Sequence, residues 1–139
     1  MYLIDTNIVS EARKERANPG VVDFFAQAAT REEAVYLSVV SVGELRRGVE
    51  LIRHRGDARQ AELLETWLND VLEQYGKNIL GFDVDSAQVW GRLRVPHAEH
   101  ELDKQIAAIA LVNRLTVVTR NTADFAGTGV KLKNPFLSP

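Results

Sequence analysis

Strand-length apolar runs alternate with longer amphipathic stretches along this chain, and that alternation restricts the fold more than any other feature. Tyr2–Ile4, Val35–Leu37, Ile79–Phe82, Thr116–Thr119 and Val130–Leu132 have the length and the β-branched or aromatic content of strands. Between them, apolar residues recur at helical spacing. Asn18-Pro19-Gly20 breaks the chain, and Pro19 suits the first turn of a helix whose apolar face is Val21, Val22, Phe24, Phe25 and Ala28. A helix from Ser41 to Arg53 turns Val42, Leu45, Val49 and Ile52 inward. Gly56-Asp57 restarts a longer one, to Tyr75, with Ala61, Leu64, Leu68, Val71 and Leu72 inward. Asp85 reads as the N-cap of a helix through Val95, ended or kinked by Pro96. Leu102–Asn113 is a further helix, and residues 121–125 form a short turn. Strands alternating with helices predict one α/β domain over residues 1–139: a mostly parallel five-stranded sheet, helices on both faces, the last strand at an edge.

With 45% hydrophobic residues the chain can bury a core, and 26% charged residues is ordinary for a folded domain. It has no cysteine, which removes disulfides, thiolate nucleophiles and cysteine-ligated zinc. No basic run followed by an apolar core opens the sequence, so no secretory signal is expected. No apolar stretch reaches the roughly 18 residues that would cross a bilayer, so no membrane partner is expected either. A cytoplasmic location fits. The net charge of −2 is unlike that of a general nucleic-acid binder, so any nucleic-acid contact must come from a local basic patch.

In open α/β sheets, ligands sit beyond the carboxyl ends of the strands, near the point where strand order reverses. Four acids fall at such places. Asp5 follows the first strand, Glu44 lies just after the second, Asp103 heads the helix leading into the fourth, and Asp124 follows the fourth. Each also has a purely local explanation. Asp5 can cap the next turn. Ser41-Val42-Gly43-Glu44 has the spacing of a capping box. Asp103 complements a helix dipole. Asn121-Thr122-Ala123-Asp124 has Asn at an N-cap and Asp at the third helical position.

The blocks "LIDTN", "SVVSVGELRRG", "LDKQIAAIA" and "VVTRNTADF", in this order over nearly the whole chain, resemble the PIN-domain ribonucleases, and among them the VapC toxins of toxin–antitoxin pairs, including the FitB-like branch. Carried over residue by residue, the resemblance implies an active site of Asp5, Glu44, Asp103 and Asp124. Magnesium, or manganese, would be held by Asp5, Asp103 and Asp124. Thr6, Asn7, Arg120 and Asn121 are the polar positions that would meet substrate. It further implies an inhibitory VapB-like antitoxin, an RNA substrate, a homodimer, and operator DNA reached only through the antitoxin. Helix 42–52 is then a candidate antitoxin groove and helix 61–75 a candidate dimer surface. Independently of the resemblance, carboxylates packed together resist ionising, and a divalent cation with hard oxygen ligands relieves that.

Two basic stretches stand as RNA contacts or as solvated, antitoxin-facing patches: Arg46, Arg47, Arg53, His54, Arg55 and Arg59, and then Arg92, Arg94, His97 and Lys104. His97 and His100 fall in an expected loop outside the motif blocks, which argues against them as metal ligands. Glu99 and Glu101 are nearby acids with no assigned role, and Trp67 and Trp90 suit a core or an interface. Two other classes compete. Haloacid-dehalogenase-like phosphatases also place an aspartate after the first strand, but need an acid two residues on, where this chain has Asn7. A catalytically silent PIN-like interaction domain would keep the fold alone, with no reason to keep four mutually repelling acids.

Overall fold

Leu3 and Ile4, adjacent in sequence, are both fully buried but belong to different apolar clusters, one on each face of a sheet. The computed structural model describes residues 1–137. In chain order the elements are β1 (Tyr2–Ile4), α1 (Thr6–Ala12), α2 (Pro19–Thr30), β2 (Val35–Ser38), α3 (Val39–His54), α4 (Ala58–Tyr75), β3 (Ile79–Leu80), α5 (Val84–Leu93), α6 (Glu101–Asn113), β4 (Thr116–Val118) and β5 (Leu132–Lys133). The strand order is β3-β2-β1-β4-β5, and every neighbouring pair is parallel. The expected mostly parallel sheet is therefore parallel throughout.

On one face, α1 to α4 close over Ile4, Leu37 and Val118 with Ile8, Val9, Val21, Phe24, Leu45, Val49, Leu68 and Val71. On the other, Leu3 and Val117 meet Ile106, Ala107, Ile109 and Ala110 of α6, with Phe125 and Val130. The small side chains of "IAAIA" let α6 lie close against the strands, so residues 106–110 are buried all round. Among the described residues no helix is long and apolar enough to cross a membrane.

The helices expected from periodicity are present, with several corrections. The sequence reading has no helix at Thr6–Ala12, yet α1 starts there with no connecting loop, because Asp5 ends the strand and caps the helix at once. The N-cap of α5 is Asp83, not Asp85. Its extended backbone lets Oδ1 accept from Ser86 N at 2.8 Å, and Asp85 sits in the first turn instead. That helix stops at Leu93, short of Val95. α3 starts at Val39, capped by Ser38, and not at Ser41. The edge strand is Leu132–Lys133 rather than Val130–Leu132. Gly127 and Gly129, both at positive φ, turn the chain so that Val130 drops into the core before pairing begins.

Candidate functional site

The order of the sheet reverses at β1, whose neighbours are β2 and β4, so the crevice favoured for ligands opens where β1 and β4 end. Register sets Ile4 opposite Val118, which brings Asp5 beside Thr119. Asp5 N donates to Val118 O at 2.9 Å, carrying the ladder one residue past the strand.

Asp5 is 5% exposed, and its carboxylate is fixed on both oxygens. Oδ1 accepts from Thr6 N at 2.8 Å, the capping bond. Oδ2 accepts from Thr119 Oγ1 at 2.9 Å and from Asn7 Nδ2 at 3.2 Å. Capping therefore occupies only one oxygen of this residue, and the other joins a network. That network is held by the fully buried Thr119, whose hydroxyl also accepts from Asn121 N at 3.0 Å. Asn7 Oδ1 accepts from Arg120 N at 3.1 Å, tying α1 to the end of β4.

Glu44 does not close a capping box. Ser41 N donates to Ser38 Oγ at 3.1 Å, so Ser41 is itself the third helical residue and Glu44 falls a turn later. Its Oε1 instead accepts from Thr6 Oγ1 at 3.2 Å, while Thr6 also reaches Ser41 Oγ at 3.0 Å. Asp103 lies in the first turn of α6, half-buried. Asp124 lies in the short 3-10 turn Thr122–Phe125, whose N-cap Asn121 makes no side-chain capping bond, contrary to the cap reading of "NTAD".

The four acids share one field. Burial, then the charges of Asp5, Asp124 and Glu44, push Asp103 up to about 6. Burial pushes Asp5 up against the three hydrogen bonds that oppose it, with Asp124 adding to the rise. Glu44 is raised by burial and by Asp5, while Thr6 and the Arg47 charge pull it down. Four carboxylates from four separate segments thus face one end of the sheet, where ionisation of Asp5, Glu44 and Asp103 is disfavoured, a cost that a divalent cation would remove. The donor set is mostly hard oxygen and fits magnesium or manganese; among the described residues Asp103 and Asp124 bring donor atoms within reach of one ion, and Asp5 falls outside that group.

One further donor stands at the site. His100, set aside as a loop residue in the sequence, caps α6 with its Nδ1 at 3.7 Å from Asp103 Oδ2 and 3.9 Å from Asp124 Oδ1. One donor atom from each of these three residues falls within 4.8 Å of the others. The only trace in the sequence is the three-residue interval to Asp103, which puts both on one helical face. Thr119, Ser38 and Ser41 also escaped the sequence reading, because a hydroxyl that orients an acid looks like any other polar strand-end residue.

The basic stretches divide. Arg46 and Arg53 both bridge to Glu50 and Glu65, joining α3 to α4. Arg94 lies 4.6 Å from the centre of the Trp90 ring and pairs with Glu101 at 3.1 Å. Lys104 is 7% exposed and donates to the His97 carbonyl. These four cations serve the fold. Arg120 is exposed at the end of β4, its guanidinium 4.7 Å above the Phe136 ring.

Residues 2–131 match the PIN domain family, a span that takes in all four acids. The chain is a PIN domain protein. Relatives of this PIN domain include plasmid stability protein StbB of Pseudomonas syringae pv. tomato, 34% identical, and toxin FitB of Neisseria gonorrhoeae, 33% identical, each alignment covering 98% of this chain and 99% of the relative. VapC ribonuclease Y4jK of Sinorhizobium fredii is 28% identical over 98% of both chains. Among solved structures, FitAB bound to an IR36 DNA fragment matches with a TM-score of 0.84 and 31% identity over 98% of this chain and 96% of that one. A toxin–antitoxin complex from Klebsiella pneumoniae matches with a TM-score of 0.61 and 26% identity over 97% and 98%. The resemblance read from the sequence blocks to PIN-domain toxins agrees with these relatives.

Proposed function

We propose that this PIN domain is a metal-dependent endoribonuclease, the toxin of a toxin–antitoxin pair. The observation that carries the reading is the meeting of Asp5, Glu44, Asp103 and Asp124 where β1 and β4 end, with Asp103 raised to about 6. Relatives named as a toxin and as a ribonuclease support it. Asp5, Asp103 and Asp124 would hold magnesium or manganese, which when bound supplies neutralisation of phosphoryl charge and acidifies a bound water. Asp5 is already oriented by Thr6, Asn7 and Thr119, so ligation needs no reorganisation of that carboxylate. Glu44, steadied by Thr6, is placed to orient the attacking water. Thr6 and Asn7 act by holding the acids. Arg120 and Asn121, exposed beside them, meet the RNA backbone, and phosphate contacts of this kind give affinity without base choice.

An antitoxin belongs to the same reading. A hollow of about 400 Å³ between α1, α2 and α4 is lined by Val9, Val22, Phe25, Trp67, Val71 and Tyr75, a surface suited to an apolar helix. At Arg13 and Trp67 it adjoins a hollow of about 200 Å³ that includes Val49 and Ile52 of α3 and reaches Thr6 and Glu44. A segment lying along both would reach Glu44 at the edge of the acidic site. In this reading α3, the candidate antitoxin groove, lines the smaller hollow, and Trp67, Val71 and Tyr75 of α4, within the candidate dimer surface 61–75, line the larger one. Operator DNA would be reached through that antitoxin, and the toxin would act as a homodimer.

The test is RNA cleavage with magnesium by the wild type and by Asp5→Asn. A fall of more than about 100-fold, beyond what loss of an outer-shell contact gives, is expected. A wild-type rate no higher than that without protein, and unchanged in the variant, would mean that the chain is a catalytically silent interaction domain.

A further inference from the structure

We propose that His100 is a nitrogen ligand to the ion held by Asp103 and Asp124, giving this centre a preference for manganese over magnesium. The inference rests on the metal-nuclease reading and adds a residue that the sequence blocks do not mark. Its first support is spacing. His100 Nδ1 lies 3.7 and 3.9 Å from one oxygen each of Asp103 and Asp124, too far for a hydrogen bond. Donors bound at about 2.0–2.2 Å to one ion stand roughly 3 Å apart when adjacent and roughly 4.3 Å apart when opposite. The three donor atoms, mutually within 4.8 Å, fall near that range and need only small side-chain adjustments to close on an ion. A histidine acting only as a counter-charge would close on one carboxylate instead.

The second support is preorganisation. His100 takes a left-handed backbone at φ 59° and ψ 46°, a conformation uncommon for a residue with a Cβ. The segment that presents it is tied down from α5 and α6. Lys104 holds both ends of residues 97–100, its backbone N donating to His100 O at 2.9 Å and its buried ammonium to His97 O. Arg94 reaches Ala98 O at 3.4 Å and the Glu101 carboxylate at 3.1 Å, and Trp90 Nε1 donates to Glu101 O at 3.1 Å. His100 is thus fixed beside the acids by the same contacts that join α5 to α6. His97, in the same segment, faces Glu99 and is exposed.

The third support is chemical. Manganese also favours oxygen, but it begins the first-row series whose affinity for nitrogen donors rises along the row, whereas magnesium keeps to oxygen and water. A site of carboxylates plus one imidazole should therefore discriminate between two ions that an all-carboxylate site treats alike.

The experiment uses the full chain and His100→Gly, chosen because glycine adopts the left-handed backbone without strain, with His100→Asn as a second variant that also tolerates it. Matching thermal denaturation of wild type and variants confirms the fold. Pulsed electron paramagnetic resonance of bound Mn²⁺ is expected to show coupling to one ¹⁴N nucleus in the wild type and none in either variant. Calorimetric titration should show Mn²⁺ affinity falling by about tenfold or more, with Mg²⁺ affinity changing by less than about threefold. Mn²⁺ bound to the wild type without nitrogen coupling would overturn the proposal, leaving His100 a neighbouring charge and the carboxylate nuclease intact. Wild type that binds neither ion would overturn both readings.

Discussion

Thr119 shows how a single buried hydroxyl sets the chemistry of a neighbouring acid. It donates to Asp5 and accepts from Asn7 and Asn121 N, so its one proton and its lone pairs are all committed. Thr119→Val keeps the shape and removes the polarity. The variant should bind magnesium about 10 to 100-fold more weakly by calorimetry, since outer-shell partners of metal ligands act on that scale. It should also lose roughly 1–3 kcal/mol in chemical denaturation, because the buried Asp5 carboxylate loses a donor. Thr6 plays the matching part for Glu44. Thr6→Val should lower the cleavage rate at saturating RNA while leaving Mg²⁺ affinity nearly unchanged, because Glu44 and not Asp5 loses its side-chain partner. A parallel loss of affinity in that titration would mean that Glu44 is a direct ligand.

At the scale of elements, α3 is positioned at its start by Ser38 and along its length by α4. Ser38 Oγ accepts from Ser41 N in a fully buried setting. Ser38→Ala should cost about 1–2 kcal/mol in urea denaturation, the upper part of the usual range for a cap. Because α3 carries Glu44, the same variant should cleave RNA more slowly. The Arg46 and Arg53 bridges to Glu65 are different in kind. Their side chains are 36–39% exposed, so solvent screens the pairs. Glu65→Ala should cost no more than about 1 kcal/mol, and the loss should shrink further in high salt.

Over the whole molecule, the gathered acids should make stability depend on pH and, in the proposed reading, on metal. Asp103, raised to about 6, and Asp5 and Glu44, also raised, bind protons more tightly folded than unfolded. A raised carboxyl is easiest to bury when protonated. Their contribution therefore favours the fold at low pH and is lost as pH climbs from the ordinary carboxylate range, near 4, through about 6. Without divalent ions, Asp103→Asn should melt roughly a few degrees above wild type at pH 7.5 and close to it at pH 4.5. Millimolar magnesium should raise the wild type at pH 7.5 and leave the variant behind, which calorimetric scans at both pH values would check. A variant no more stable than wild type without metal would mean that the acids do not strain one another.

The sequence by itself determined the alternation of strands and helices, the single α/β domain and the identity of the four acids. Periodicity and the motif blocks are local, and each is written within a dozen or so neighbouring residues. It also held the inward faces of α3 and α4, where Leu45, Val49, Leu68 and Val71 are buried as spaced. Tertiary structure decided what those local signals left open. Whether Glu44 capped its own helix or faced the site depended on Thr6, thirty-eight residues away. Asp5 both caps α1 and joins a side-chain network because Thr119, distant by 114 residues, arrives beside it on the neighbouring strand. α1 was invisible because it begins with no turn residues between it and β1. His100 reaches the acids only because α5 and α6 pin its loop there. Each of these rests on where separate segments meet, and that meeting is fixed by packing on both faces of the sheet, which no short stretch of sequence contains.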